Sequence, residues 1–182
     1  MLPGLSVSKN MLVQNMTLET KRLILRTPEV TDADDYLEFC NTEFVLRYNA
    51  MMLKTREKVE KYLTDCRNEI LVLQHKESGK VIGEININED SLRYGVDAKE
   101  LSYMLREDYS RQGYMKEALQ MVIDYLFTQE KVECVSARCF APNVASLALL
   151  KSLGFHQDGY IPRCVKGYKD QIFDDTLHSL FR

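Results

Sequence analysis

"ELSYMLREDYSRQGYMKEAL", residues 100–119, decides the fold. Its first part, "ELSYMLRE" (100–107), mixes β-formers with polar residues and reads as a strand. A polar run and a single glycine, Gly113, follow. Helical spacing then sets in and carries to about Gln129, with Ala118, Met121, Val122, Tyr125 and Leu126 on the inward side. "VECVSARCF" (132–140) is a strand again, with Val132, Cys134 and Ser136 on one face and Val135 and Ala137 on the other. Strand, helix and strand in this order form a βαβ crossover, so the two strands should be parallel neighbours. The loop after the first strand then lies at its C-terminal edge, where open α/β sheets favour ligands.

Working outward, "RLILRT" (22–27) reads as a strand. "TDADDYLEFC" opens a helix at Thr31, with Asp34 three residues on as a capping-box partner. "KTREKVEKYLTDCRN" repeats that logic from Thr55, placing Val59, Tyr62, Leu63 and Cys66 on one face. "EILVLQHK" (69–76) and "VIGEININ" (81–88) are strands joined by the hairpin link "ESGK" (77–80). "NVASLALLKSLG" is a helix that Gly154 ends. Two further strands fall around 155–161 and 172–181. The order is β-αα-βββ-α-β-α-ββ, an α/β (α+β) chain with a mixed central sheet of about seven strands flanked by helices. The first sixteen residues combine Pro, Gly, Ser and Asn with a single charge, Lys9, and are read as an N-terminal extension to a domain spanning 17–182. Met11 and Met16 are alternative starts.

Composition narrows the function. The chain has 182 residues, 45% of them hydrophobic, enough for one domain with a sizeable core. Its net charge of −3 argues against nucleic acid as the main partner, which needs a concentrated basic face. No apolar run approaches the ~20 residues of a membrane span. Five cysteines without a C-x-x-C spacing suggest neither a disulfide framework nor a zinc site, and point to reduced thiols in the cytoplasm. The three histidines, His75, His156 and His178, are far apart in sequence, so no metal is expected. A monomer or homodimer is expected.

The turn at 109–119 has chemistry of its own. The first N–H groups of a helix lack intrahelical partners, and the macrodipole adds positive charge there. Together they favour an anion such as phosphate. Gly113 permits close backbone approach, and Arg106, Arg111 and Lys116 add charge. Taken alone, the segment reads first as a plain helix start. It is neither a Walker A loop nor a dinucleotide fingerprint.

From Thr17 to Arg182 the chain resembles the GNAT N-acetyltransferase superfamily, in its ribosomal-protein N-terminal acetyltransferase (RimJ/RimL-like) branch. "TKRLILR" is similar to that branch's opening strand and "GKVIGEI" to its central hairpin. "ELSYMLREDYSRQGYMKEAL" resembles its acetyl-CoA motif, "NVASLALLKSLGF" its Asn-x-x-Ser helix, and "DDTLHSLFR" its closing strand. The family's loop pattern, Gln/Arg-x-x-Gly-x-Gly/Ala, is met at Gly113 but departed from at Ser110 and Met115. The resemblance implies acetyl-CoA as cosubstrate. Its pantetheine arm would insert between splayed strands 100–107 and 132–140, held by backbone groups of Met104, Leu105 and Arg106. N–H groups of Arg111, Gln112, Gly113, Tyr114 and Met115 would hold the pyrophosphate, with Asn143 and Ser146 on the other side of the arm.

Acetyl transfer needs a deprotonated amine, a polarised carbonyl and a stabilised leaving thiolate. The resemblance implies Glu100 as general base, often through water; a solvated strand-end carboxylate is the plainer reading. Glu84 is a second candidate base, or a cross-strand ion partner. Ser146 is a candidate thiolate stabiliser, or a hydroxyl bonded to its own helix. Tyr103 and Tyr114 are alternative acids, or packing residues. Cys139 would allow a covalent acetyl-enzyme, or is a small buried hydrophobe. Direct attack is expected. By family analogy the acceptor, a protein N-terminus or a small-molecule amine, borders segment 89–99 and the helices of 31–66. There Asp32, Asp34, Asp35, Glu38 and Glu43 are available to attract it. The alternative is a non-catalytic acyl-CoA-binding domain.

Overall fold

A computed structural model describes residues 13, 16–50 and 54–182. Eight strands form one sheet: β1 (Thr17–Glu19), β2 (Leu23–Arg26), β3 (Ile70–His75), β4 (Val81–Glu89), β5 (Ala98–Leu105), β6 (Cys134–Phe140), β7 (His156–Lys166) and β8 (Ile172–Phe181). Their spatial order is β1-β2-β3-β4-β5-β6-β8-β7. Helices α1 (Ala33–Cys40), α2 (Glu43–Leu46) and α3 (Arg56–Asp65) precede β3; α4 (Tyr114–Thr128) and α5 (Val144–Ser152) flank β6. The pair β5–β6 is parallel, as the crossover requires, and the other pairings are antiparallel.

The eighth strand, β1, precedes the segment 22–27 that reads as a strand. The chain turns at Lys21–Arg22, and Thr17 pairs back onto Arg26. The first helix also starts differently. Its capping box is Glu29 and Asp32 around a 3-10 turn, and Asp32 binds Arg26 through both carboxylate oxygens at 2.7 and 2.8 Å. Asp32 is therefore occupied by an ion pair, and α1 begins one residue later, at Ala33. Thr55 caps α3 as its sequence indicates, accepting from Lys58 N–H at 3.4 Å.

Two apolar layers sandwich the sheet. Leu71, Leu73, Ile85, Ile87 and Leu101 face α4 and α5, meeting Ala118, Val122, Leu126 and Leu150. Ile70, Val72, Val81 and Met104 face α1 and α3, meeting Tyr36, Phe39, Val59 and Leu63. Strand alternation assigns the sides. A bulge between Leu73 and Gln74 resets it, so that Ile82 joins the α4 layer while Glu84 faces α1 and α3. The extension expected over residues 1–16 lies outside the described residues apart from 13 and 16. Val13 and Met16, which are described, are buried in the α4 layer.

Candidate active site

The site begins where two parallel strands part. Pairing of β5 with β6 runs from Ala98↔Cys134 to Leu101↔Ala137 and stops. Yet β5 continues to Leu105 and β6 to Phe140, each held on its outer side by β4 and β8. The result is a V-shaped gap with unpaired backbone along its walls. Arg106 N–H donates to Ile82 C=O at 2.8 Å, and Arg106 C=O accepts from Tyr109 N–H at 3.2 Å. Alternation then turns the backbone of Met104 toward β4, opposite Glu84, and that of Tyr103 and Leu105 toward the gap. Of the three residues expected to hold a ligand by their backbone, Leu105 is so placed. Arg106 and Met104 are not, because their polar groups complete the β4 ladder and the following turn.

Gly83 allows β4 to lie this close. A Cβ built there would stand 2.5 Å from Met104 C=O and 3.2 Å from Leu105 Cα. The side-chain-free position therefore sets where the gap's wall lies.

At the wide end of the gap, α4 begins. Gly113 has φ +82 and Arg111 φ +58, two left-handed residues in one tight turn. Arg111, Gln112 and Gly113 are exposed. Among the described residues no hydrogen bond engages the N–H groups of 111–115. Arg111 and Lys116 form no ion pair among the described residues, whereas Arg106 is paired with Glu38 and Asp108. The turn thus offers a run of N–H donors without partners among the described residues, with positive charge beside it. Tyr114 and Met115 contribute backbone only, since both side chains are buried in the α4 layer. The bulk of Met115 therefore lies in the core.

Across the gap, Asn143 caps α5, its Oδ1 accepting from Ser146 N–H at 3.2 Å. The Asn-x-x-Ser spacing is thus a cap that orients Ser146. The Ser146 hydroxyl lies 2.6 Å from that of Tyr103. Burial pushes the Tyr103 phenol well above its ordinary value, with the bond to Ser146 opposing. Cys139 lies nearby, its Sγ 3.6 Å from Phe140 C=O and 3.8 Å from Asn143 C=O. Burial also pushes its thiol up, which disfavours the thiolate a nucleophile needs.

Glu100 sits just before the strands part, opposite Ser136 on β6 and Asn88 on β4. It lines a cavity of about 260 Å³ with Arg93, Ser136, Arg138, Asp158 and Leu177 among its neighbours. The cavity's cations are engaged: Arg93 with Asp90 and Asp158, Arg138 with Asp175 at 2.7 Å. Glu100 itself has no hydrogen bond or ion pair among the described residues. Burial pushes its carboxyl above the ordinary value, Arg138 opposing and Asp90 and Asp175 reinforcing.

Glu84 lies on the same face but in another environment. It is 3% exposed. Tyr36 and Tyr62 hydroxyls donate to its two oxygens at 2.9 Å each, and Asn86 Nδ2 donates at 3.0 Å. Burial raises its pKa while these bonds oppose the rise. Lys54 Nζ sits 3.6 Å over the Tyr62 ring. Sequence reading did not connect Tyr36, Tyr62 and Lys54 to Glu84. Nor did it find Arg138, though an arginine inside the apolar strand "VECVSARCF" was the available signal.

The acidic residues expected to draw in a cationic acceptor are taken. Besides Asp32, Asp34 pairs with Arg56, Asp35 accepts from Val81 N–H at 2.9 Å, Glu38 pairs with Lys80 and Arg106, and Glu43 with Lys169. Among the described residues no cluster of His, Cys, Asp and Glu could hold a metal, and no helix is long and apolar enough to cross a membrane.

The comparisons agree with this geometry. The chain is 28% identical over 174 residues to the uncharacterized N-acetyltransferase p20 of Bacillus licheniformis, covering 91% of this chain and 96% of that protein. Among solved structures, a GNAT-family acetyltransferase from Bacillus anthracis superposes with a TM-score of 0.83 at 20% identity, covering 91% and 98% of the two chains. The ribosomal-protein-S5-alanine acetyltransferase of Vibrio fischeri superposes with a TM-score of 0.79, also at 20% identity, covering 91% and 96%. The acetyltransferase (GNAT) domain profile matches residues 22–156. A parted parallel strand pair, a donor-lined helix start beside it and a profile match over most of the length agree: this chain belongs to the GNAT acetyltransferase family.

Proposed function

We propose that the protein transfers the acetyl group of acetyl-CoA to a primary amine by direct attack, with Glu100 as general base. One observation carries the reading: a carboxylate with no ion pair or hydrogen bond among the described residues lines an open cavity where β5 and β6 begin to part. The gap fits the cosubstrate. Backbone groups of Tyr103 and Leu105 are free to pair with an extended pantetheine arm, as a strand would. The N–H groups of 111–115 are free to hold the pyrophosphate. Bound there, acetyl-CoA supplies the activated acyl group.

The protein's own residues supply the rest. Glu100 accepts the amine's proton, directly or through one water, and its raised pKa brings it closer to the range useful for a base at neutral pH. The Ser146–Tyr103 hydroxyl pair lies at the gap, where it can donate to the departing thiolate. Cys139, with its raised pKa and sulfur turned to carbonyls, supports direct attack over a covalent acetyl-enzyme.

The acceptor is a protein N-terminal amine or a small amine, and the fold neighbours that act on ribosomal proteins favour the former. Five free cysteines accord with work in the cytoplasm, as a monomer or homodimer. The non-catalytic acyl-CoA-binding alternative is not favoured, since Met115, one of the two departures that suggested it, lies in the core. The test is thiol release from acetyl-CoA against a panel of N-terminal peptides and small amines. Release with any of them supports the enzyme. Tight CoA binding with none supports the binding domain.

A further inference from the structure

The turn that starts α4 is braced from a part of the chain some ninety residues away. Arg22 stands in the turn between β1 and β2. Its Nε donates to Glu117 Oε2 at 2.7 Å, and its backbone N–H to Glu117 Oε1 at 2.8 Å. Thr20 Oγ1 donates to that same Oε1 at 2.6 Å. The guanidinium's Nη1 donates to Gln112 C=O at 2.9 Å. Its plane lies over the Tyr114 ring, 4.0 Å from the centroid. Nη2 is 3.5 Å from where a Cβ on Gly113 would be. The Tyr114 hydroxyl in turn bonds His75 Nε2 at 3.1 Å.

Two physical needs explain this concentration of contacts. First, a left-handed non-glycine residue costs roughly 1–2 kcal/mol and persists only where its surroundings over-determine it. Arg111 is such a residue, next to Gln112, whose carbonyl Arg22 holds. Second, Glu117 lies in the first turn of α4. A free carboxylate there would repel the anion that the helix start favours. Three hydrogen bonds, one of them from the Arg22 guanidinium, neutralise it.

We propose that Arg22 is a positioning residue for the cosubstrate's diphosphate: it fixes the Gln112–Gly113–Tyr114 turn and screens Glu117. This rests on reading that turn as the diphosphate site. Arg22 then acts on the ligand through the turn, at a distance from the reacting atoms. A lysine could keep the pair with Glu117, but it lacks the planar fork that also reaches Gln112 and stacks on Tyr114.

The experiment compares two thioesters on the full chain. Acetyl-CoA carries the diphosphate; acetyl-pantetheine ends before it. Arg22→Ala should raise KM for acetyl-CoA about tenfold or more, with kcat changed far less. The ratio of kcat/KM for acetyl-CoA to that for acetyl-pantetheine should fall by the same factor. Arg22→Lys should lie between, and it carries the test if the alanine variant unfolds early in a thermal melt. Equal losses with both thioesters, or an unchanged ratio, would overturn the role of Arg22. A wild-type protein that turns over both thioesters equally well would overturn the diphosphate reading itself, and the role of Arg22 with it.

Discussion

Glu84 and Glu100 are the same residue type, on adjacent strands, facing the same side of one sheet. The register separates them by four positions, ~13 Å at strand spacing. Both have raised pKa values, and burial is the first cause in each case. Their neighbours nevertheless put them in opposite settings. Glu84 has two tyrosine hydroxyls and an amide on its oxygens. The Glu100 carboxylate lines an open cavity and has no hydrogen bond among the described residues. A perturbed carboxylate marks a reactive site only when its lone pairs are free to take a proton. The donors around Glu84 tie the sheet to α1 and α3, which favours the proposed contrast with Glu100.

The largest effect should come from the open carboxylate. Glu100→Gln should lower turnover by on the order of 10²–10⁴, the usual worth of a general base, with little change in the melting temperature. The acid side of the pH–rate profile sharpens the point. Glu100 must be ionised to accept a proton, and its raised pKa moves that ionisation above the ordinary carboxylate range. Activity should therefore rise with pH through that shifted value, and the Gln variant should lack this limb. A variant with an unchanged pH profile would remove Glu100 from the base role.

The anchored carboxylate should show the reverse. Glu84→Ala would leave the Tyr36 and Tyr62 hydroxyls and the Asn86 amide without their acceptor. At ~1–3 kcal/mol for a buried unsatisfied group, a total loss of about 2–4 kcal/mol is expected in denaturant unfolding. Glu84→Gln keeps an acceptor of the same shape and should recover most of it. The folded fraction of either variant should keep its thioester turnover. A Glu84→Gln protein that is stable but inactive would break the contrast drawn here.

The sequence made the frame legible and left the roles of these carboxylates open. The parallel β5–β6 pair, the helix start at Gly113 and the Thr55 cap are local patterns, carried by periodicity and by residues with fixed conformational uses. Only the resemblance sets Glu100 ahead of Glu84, because partner choice is non-local. Tyr36 lies 48 residues from Glu84 and Tyr62 lies 22 away. The parting of the strands was inferred by resemblance, because no residue pattern says where a ladder stops. Met104 and Arg106 were assigned to the ligand for a similar reason. Which way a backbone amide points depends on the register of β5 with β4, a pairing between segments well apart in sequence.

A smaller effect should come from the strand wall next to Glu84, on its far side from Glu100. In Gly83→Ala the new methyl would meet Met104 C=O and Leu105 Cα, both backbone, at distances that force a shift. Overpacking of this kind costs about 1–3 kcal/mol. The shift falls on the segment proposed to pair with the pantetheine arm. KM for acetyl-CoA should rise more than kcat falls, and acetyl-pantetheine should be affected equally. That equality distinguishes Gly83 from Arg22, whose loss should touch the diphosphate-bearing thioester alone.

The smallest effect should come from Cys139. It shares with Glu84 a buried setting and a raised pKa. Its thiol leans on two carbonyl oxygens, which accept a proton from S–H but would repel a thiolate. Attack by this sulfur would first require ionisation against burial and against those dipoles. Direct transfer has no such cost. Cys139→Ala removes one small buried group, and kcat/KM should stay within about threefold, because a nucleophile's loss would cost orders of magnitude. Initial-rate patterns should intersect, as for a ternary complex, and mass spectrometry after exposure to acetyl-CoA alone should find no acetyl on Cys139. Parallel ping-pong lines, or a trapped acetyl-cysteine, would transfer the chemistry from the open carboxylate to the buried thiol and undo the distinction between free and engaged groups on which the assignment of Glu100 depends.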